Sequence, residues 1–196
     1  MSAEPVDALA GLLAKARTCT ICTNLPLGPR PLLQASSKAR ILIASQAPGS
    51  ETHEKGRPFD DASGKRLRQW LGVTEAQFYD PDLLAILPMG FCYPGTGNGG
   101  DLPPQPECAP AWREPLLQAM PAIELTIVLG QYALEWHLGE RKSRTLTDTV
   151  KRWQEFWPQL LPLPHPSPRN IRWFMTNPWF EADVIPVLQD RVRALV

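Results

Sequence analysis

Four short apolar runs mark out the chain: Ile41–Ala44, Leu83–Leu87, Ile123–Leu129 and Leu160–Leu163. Their length and branching are those of strands buried on both faces. Helical spacing fills the intervals. Residues 5–17 place Leu9, Leu12, Leu13 and Ala16 along one side. Leu67, Trp70 and Leu71 form the apolar face of a second helix, with Ser63 placed to cap it. A helix is expected over Trp112–Met120, with Pro115 near its first turn. Another opens at Gly130-Gln131-Tyr132 and runs to about Leu138. Thr145–Trp157 forms the next, capped by Thr147 or Asp148, with Val150, Trp153 and Trp157 inward. The last runs from Pro178-Trp179 to Leu195. Strands alternating with helices predict an α/β fold whose parallel sheet is covered on both faces.

In such sheets ligands sit past the carboxyl ends of the strands. The stretch after the first run, SQAPGSETHEKGRPFDDAS, is the leading candidate. It turns sharply at Pro48-Gly49, and the loop from Gln46 to Ala62 is long for a link between strand and helix. All four strand ends carry distinctive loops: Gln46–Gly49, Pro88–Gly90, Gly130-Gln131 and His165–Ser167. Phe78–Pro81 reads as a turn.

The length of 196 residues suits one domain, 1–196, with a sizeable core. Twenty basic and twenty acidic residues balance. That argues against coating nucleic acid by bulk charge and leaves room for a focused basic cleft. The N-terminus reads as an amphipathic helix and not a signal peptide, and no run has the ~20 apolar residues of a membrane span. A cytoplasmic location is expected. The 22 prolines bunch at Pro26–Pro31, Pro103–Pro110 and Pro158–Pro168, which predicts fixed, irregular loops.

The four cysteines are Cys19, Cys22, Cys92 and Cys108. A CxxC pair with two distant partners suits a four-thiolate site for zinc or an iron–sulfur cluster. A redox pair at Cys19 and Cys22 would lack the strand that usually precedes one. Unrelated cysteines are the remaining reading. Of the histidines, His165 stands at a strand end, whereas His137 beside Trp136 reads as packed.

Several motifs occur in one order: CTIC, SQAPG, GRPFDDASG, then Cys92 and Cys108 with wide spacing, then HPS. In that order they resemble the uracil-DNA glycosylase superfamily, most closely its iron–sulfur branch (families 4 and 5). The resemblance implies a three-layer α/β/α sandwich around a central, mostly parallel four-stranded sheet. It implies a [4Fe-4S] cluster on Cys19, Cys22, Cys92 and Cys108, with zinc as the alternative. It implies hydrolysis of the N-glycosidic bond of a flipped uracil or related damaged base in DNA. By the same analogy Phe59 stacks on the base, and Gln46, Ala47, Pro48 and Gly49 border the sugar and the attacking water. His165 donates a hydrogen bond to the base, and Pro166–Asn170, including Ser167, Arg169 and Asn170, press into the DNA.

Two positions depart from the family pattern. Gln46 stands where an acid is usual, as in GEAPG. An amide can orient water but takes no proton. Asp60 or Asp61 can supply the carboxylate instead, or serve as acids favourable at a helix N-terminus. Pro88 stands where an asparagine would read uracil, leaving the backbone of Met89 or Gly90, or Asn98, to replace it. These departures keep a second reading open, a catalytically degenerate iron–sulfur module that binds DNA without cutting. A third is a metal or redox enzyme acting on a small molecule. The expected partner is DNA containing a damaged base, with no membrane, and the expected state is a monomer.

Overall fold

A computed structural model describes residues 5–196. Helix α1 (Pro5–Arg17) leads through an irregular segment to β1 (Ile41–Ala44). Helices α2 (Ser50–Lys55), α3 (Ala62–Leu71) and α4 (Glu75–Phe78) precede β2 (Leu84–Ile86). A two-stranded hairpin follows, β3 (Thr96–Gly97) and β4 (Gly100–Asp101), then α5 (Cys108–Gln118), β5 (Leu125–Leu129) and α6 (Gln131–Leu138). Helix α7 (Leu146–Lys151), β6 (Leu160–Leu163), α8 (Ile171–Thr176) and α9 (Ile185–Leu195) complete it.

Strands β2, β1, β5 and β6 form one sheet in that order, every pair parallel. Ile43 pairs with Ile86 on one side and Ile127 on the other. The two-residue period then divides the core. Ile41, Ile43, Ile127 and Leu161 pack with Leu67 and Trp70 of α3 and Leu188 and Val192 of α9. Leu42 and Leu87 face the opposite way, against Leu9 and Leu13 of α1 and Leu116 of α5. Ala44 and Val128 meet Ala133 and Leu134 of α6 on that second face. This is the three-layer α/β/α architecture, with a continuous apolar run in β1 because both of its faces are covered. Pro162 lacks an N–H, and β6 tolerates it because that strand lies at the sheet edge.

Several element boundaries differ from expectation. The long loop after β1 contains α2, which has no apolar stripe and buries only Thr52 and His53. Asp61, not Ser63, caps α3, accepting from the Gly64 N–H at 2.8 Å, and Ser63 is buried inside the helix. Helix α5 begins at Cys108, four residues before the expected start, so Pro115 lies in its interior. Pro110 in the first turn needs no N–H partner, so it does not prevent this early start. Thr145 caps α7 in place of Thr147 or Asp148, and the expected long helix breaks into α7 and a 3-10 turn at Trp153–Glu155. Helix α8 was not anticipated. The final helix passes through a π turn, Phe180–Val184, before α9.

Candidate active site

A cleft of about 510 Å³ opens at the carboxyl ends of β1, β2 and β6. Its size suits a small organic ligand. Gln46, Ala47, Pro48 and Gly49 line it from β1. Phe59 and Asp61 enter from the segment before α3, and Pro88 from the end of β2. His165, Ser167, Arg169 and Asn170 enter from the loop after β6. Gly99, Gly100 and Asp101 of the hairpin complete the wall.

Phe59 is the one non-glycine residue at positive φ among the described residues, at 54°. Such a conformation costs roughly 1–3 kcal/mol and persists where its surroundings over-determine it. Those surroundings are specific. Phe59 is buried edge-on against Phe78 and lies nearly parallel to His165. Its carbonyl faces the start of α3, where a Cβ on Gly64 would lie 1.7 Å from that oxygen. Only glycine fits there.

The imidazole of His165 has its pKa pushed below the ordinary value by burial, against the opposing pull of Asp61 and Asp101. At neutral pH the ring is uncharged, with one N–H to donate. The Asn170 amide donates to the His165 carbonyl at 2.8 Å, and the Ser167 hydroxyl accepts from the Arg169 N–H. Arg66 of α3 donates to the carbonyls of Pro166 and Ser167. The loop after β6 is therefore held from both ends.

Residues 33–189 match the uracil DNA glycosylase superfamily. The chain belongs to that superfamily. Its membership supports a uracil-DNA glycosylase-like function and a DNA partner. Among the described residues no helix is long and apolar enough to cross a membrane.

In this superfamily member, several expected residues lie elsewhere. Met89 and Gly90 do not line the cleft. The Met89 N–H donates to Ser45 O at 2.7 Å and the Gly90 N–H to Gln46 O at 2.9 Å, so both are spent on the first loop. The Met89 side chain is buried with Ala44 and Ala133. Asn98 is exposed at the hairpin turn and outside the cleft lining. Gly130 lies behind His165, where a Cβ would stand 3.8 Å from the histidine's own Cβ. Asp60 is taken up in ion pairs with Arg57 and Lys55, which hold its carboxyl below the usual range. The Gln46 amide donates to Leu102 O at 3.2 Å, tying the first loop to the hairpin.

The superfamily member's four cysteines line a second, smaller cavity, together with Leu25, Gly90 and Phe91. The Phe91 N–H donates to the Cys108 sulfur and the Trp112 indole to the Cys19 sulfur, both at 3.3 Å. Burial pushes the Cys108 thiol up to about 12 and raises those of Cys92 and Cys22. Among the described residues, no three His, Cys, Asp or Glu side chains approach closely enough to hold a single metal ion. Beside this cavity lies Arg113, fully buried on α5 and, among the described residues, without a carboxylate partner. It donates to Leu87 O at 2.7 Å and to Pro88 O at 3.3 Å, and meets the His137 ring nitrogen at 2.7 Å. Arg113 thus joins α5 to the strand end that lines the cleft. Its position in a proline-rich helix, far along the chain from β2, concealed that link from the sequence.

Proposed function

We propose that this chain is a DNA glycosylase that hydrolyses the N-glycosidic bond of a flipped uracil or related damaged base. The observation that carries this reading is the convergence of Phe59 and His165 in one cleft at the strand ends. The bond to be cut is buried in a duplex, so the nucleotide must leave the stack. The Phe59 ring offers the flat apolar face that an extruded base requires. As the bond breaks, negative charge builds on the base and positive charge on the sugar. Neutral His165 donates toward the base, and a donor aimed at developing charge is worth roughly 3 kcal/mol. Gln46 to Gly49 border the sugar side, and Arg169 faces the DNA backbone.

The cysteine cavity supports a [4Fe-4S] cluster held by Cys19, Cys22, Cys92 and Cys108, with the Phe91 and Trp112 N–H groups bonded to sulfur. A single tetrahedral zinc needs every sulfur about 2.3 Å from one point. Four thiolates lining one cavity suit that site or a [4Fe-4S] cluster, and zinc stays the alternative. When bound it would supply a cross-link among α1's exit, the Cys92 loop and α5.

A second reading, a binding module that does not cut, draws on Gln46 and Pro88. The Gln46 amide is already tied to Leu102, and Pro88 brings no side-chain hydrogen bond to the cleft. The deciding experiment is base release by oxygen-free protein from single- and double-stranded oligonucleotides carrying uracil, hypoxanthine or xanthine. Release that His165→Ala loses supports the glycosylase. Lesion-dependent binding without release from any substrate supports the binding module.

A further inference from the structure

We infer that the carboxylate of Asp101 faces the attacking water and the sugar cation during base hydrolysis, an assignment that rests on the glycosylase reading above. Asp101 ends the β3–β4 hairpin and lines the cleft. A Cβ built on Gly49 would stand 3.5 Å from Asp101 Oδ2. The carboxylate therefore lies against the tip of the first loop, the segment that borders the sugar. Its other oxygen, Oδ1, accepts from the Thr96 hydroxyl at 3.4 Å, and Thr96 is bonded in turn to the Tyr93 hydroxyl. The preceding Gly100 has φ 140°, and a Cβ there would lie 2.5 Å from the Arg169 guanidinium. Glycine at that position lets the hairpin close onto the loop after β6.

Two of the other acids nearby are held in ion pairs, and the third commits one oxygen to a helix cap. Asp61 Oδ1 caps α3, Glu51 pairs with Lys55, and Asp60 pairs with Arg57. Asp101 makes no ion pair among the described residues. A carboxylate pointed at a DNA-binding cleft repels phosphate, so it weakens binding unless positive charge develops beside it. The deoxyribosyl cation is that charge. Asp101 also acts on His165, where its charge opposes the effect of burial. In the reaction the C1′–N bond breaks and its electron pair leaves with the base. The water oxygen bonds to C1′, and the proton it sheds passes to the Asp101 carboxylate and then to solvent. The departing base takes a proton from water.

The test compares Asp101→Asn and Asp101→Glu with the unaltered protein. Single-turnover release is measured at saturating protein on uracil, hypoxanthine and xanthine oligonucleotides, and affinity by anisotropy on lesion-free DNA. Asp101→Asn is expected to slow release by about a hundredfold or more, with DNA affinity unchanged or tighter. Asp101→Glu is expected to recover part of the rate. Release at the unaltered rate by Asp101→Asn overturns this assignment and leaves the glycosylase reading standing. A slow variant that has lost DNA affinity and thermal stability in proportion also overturns it, because Asp101 would then serve the hairpin. If the unaltered protein releases no base, the glycosylase reading falls and this assignment falls with it.

Discussion

The rings of Phe59 and His165 lie 24° from parallel, with centroids 6.3 Å apart. One helix sets both. The start of α3 runs beneath the Phe59 carbonyl, which the missing side chain of Gly64 permits. Along the same helix, Arg66 donates to the carbonyls of Pro166 and Ser167, and Arg68 to that of Phe59. A shift of α3 therefore moves the stacking face and the donor together.

Phe59→Leu keeps an apolar side chain at the buried position and removes the flat face. Base–aromatic stacking is worth about 1–3 kcal/mol per base. Affinity for a uracil-containing oligonucleotide is expected to fall by about tenfold or more, with lesion-free DNA bound as before. Anisotropy titrations on the two DNAs check this. Equal losses on both would count against stacking.

Gly64→Ala and Gly11→Ala are expected to have opposite signs. A Cβ at Gly64 meets backbone at 1.7 Å, so the cap of α3 must move, and overpacking of this kind costs about 1–3 kcal/mol or more. A Cβ at Gly11, within α1, meets nothing within 4 Å. That substitution gains about 0.5–1 kcal/mol from helix propensity. Urea midpoints of the two variants decide the matter.

The strands were legible because burial on both faces makes each run apolar throughout, as in Ile41–Ala44. Helix α2 was not, because SETHEK buries only Thr52 and His53 and shows no stripe. Asp61 and Ser63 both suit a cap, and only the backbone conformation separates them. In the cleft, Gln46 and His165 stood in recognisable motifs at strand ends, and Phe59 in one just before α3. Asp101 did not, because it reaches the cleft through a hairpin whose packing is tertiary. The Asn98-Gly99 dipeptide, a frequent two-residue hairpin loop, was the available signal. Met89 and Gly90 were misplaced because sequence does not show which backbone donors neighbouring strand ends consume.

Acid is expected to destabilise the protein through its histidines. Burial, aided by Arg113, lowers the His137 pKa to about 3. The unfolded chain takes up a proton as pH falls through about 6.5, whereas folded His137 stays neutral. The stability present above that pH is therefore lost progressively as pH falls toward 3. His53 and His165 are shifted in the same direction by burial. His137→Gln keeps an acceptor for Arg113 and removes one titrating group. Its urea midpoint is expected to fall less between pH 7 and pH 5 than that of the unaltered protein. An unchanged slope would mean that His137 is not held neutral beside Arg113.

The cysteine cavity draws on three separate pieces of chain: the segment after α1, the loop that carries Cys92, and the first residue of α5. The Leu32 N–H donates to Phe91 O at 2.8 Å between the first two. Cys19 meets Trp112 of α5, and Cys108 meets the Phe91 N–H. A bound cluster would add a covalent cross-link among all three while leaving the sheet untouched. Iron and sulfide analysis of protein purified without oxygen is expected to find both, and Cys108→Ser is expected to lose them. Removing the metal with a chelator and reductant is expected to lower the melting temperature while most strand signal in circular dichroism persists, because the opposite face of the sheet packs on α3 and α9, away from the cavity. The change should reach the cleft, since Arg113 ties α5 to Leu87 and Pro88. Zinc in place of iron and sulfide would retain the cross-link and exclude the cluster. Finding neither would leave the four cysteines as packed thiols, with α5 held by Arg113 and by its apolar contacts with α1 and the sheet.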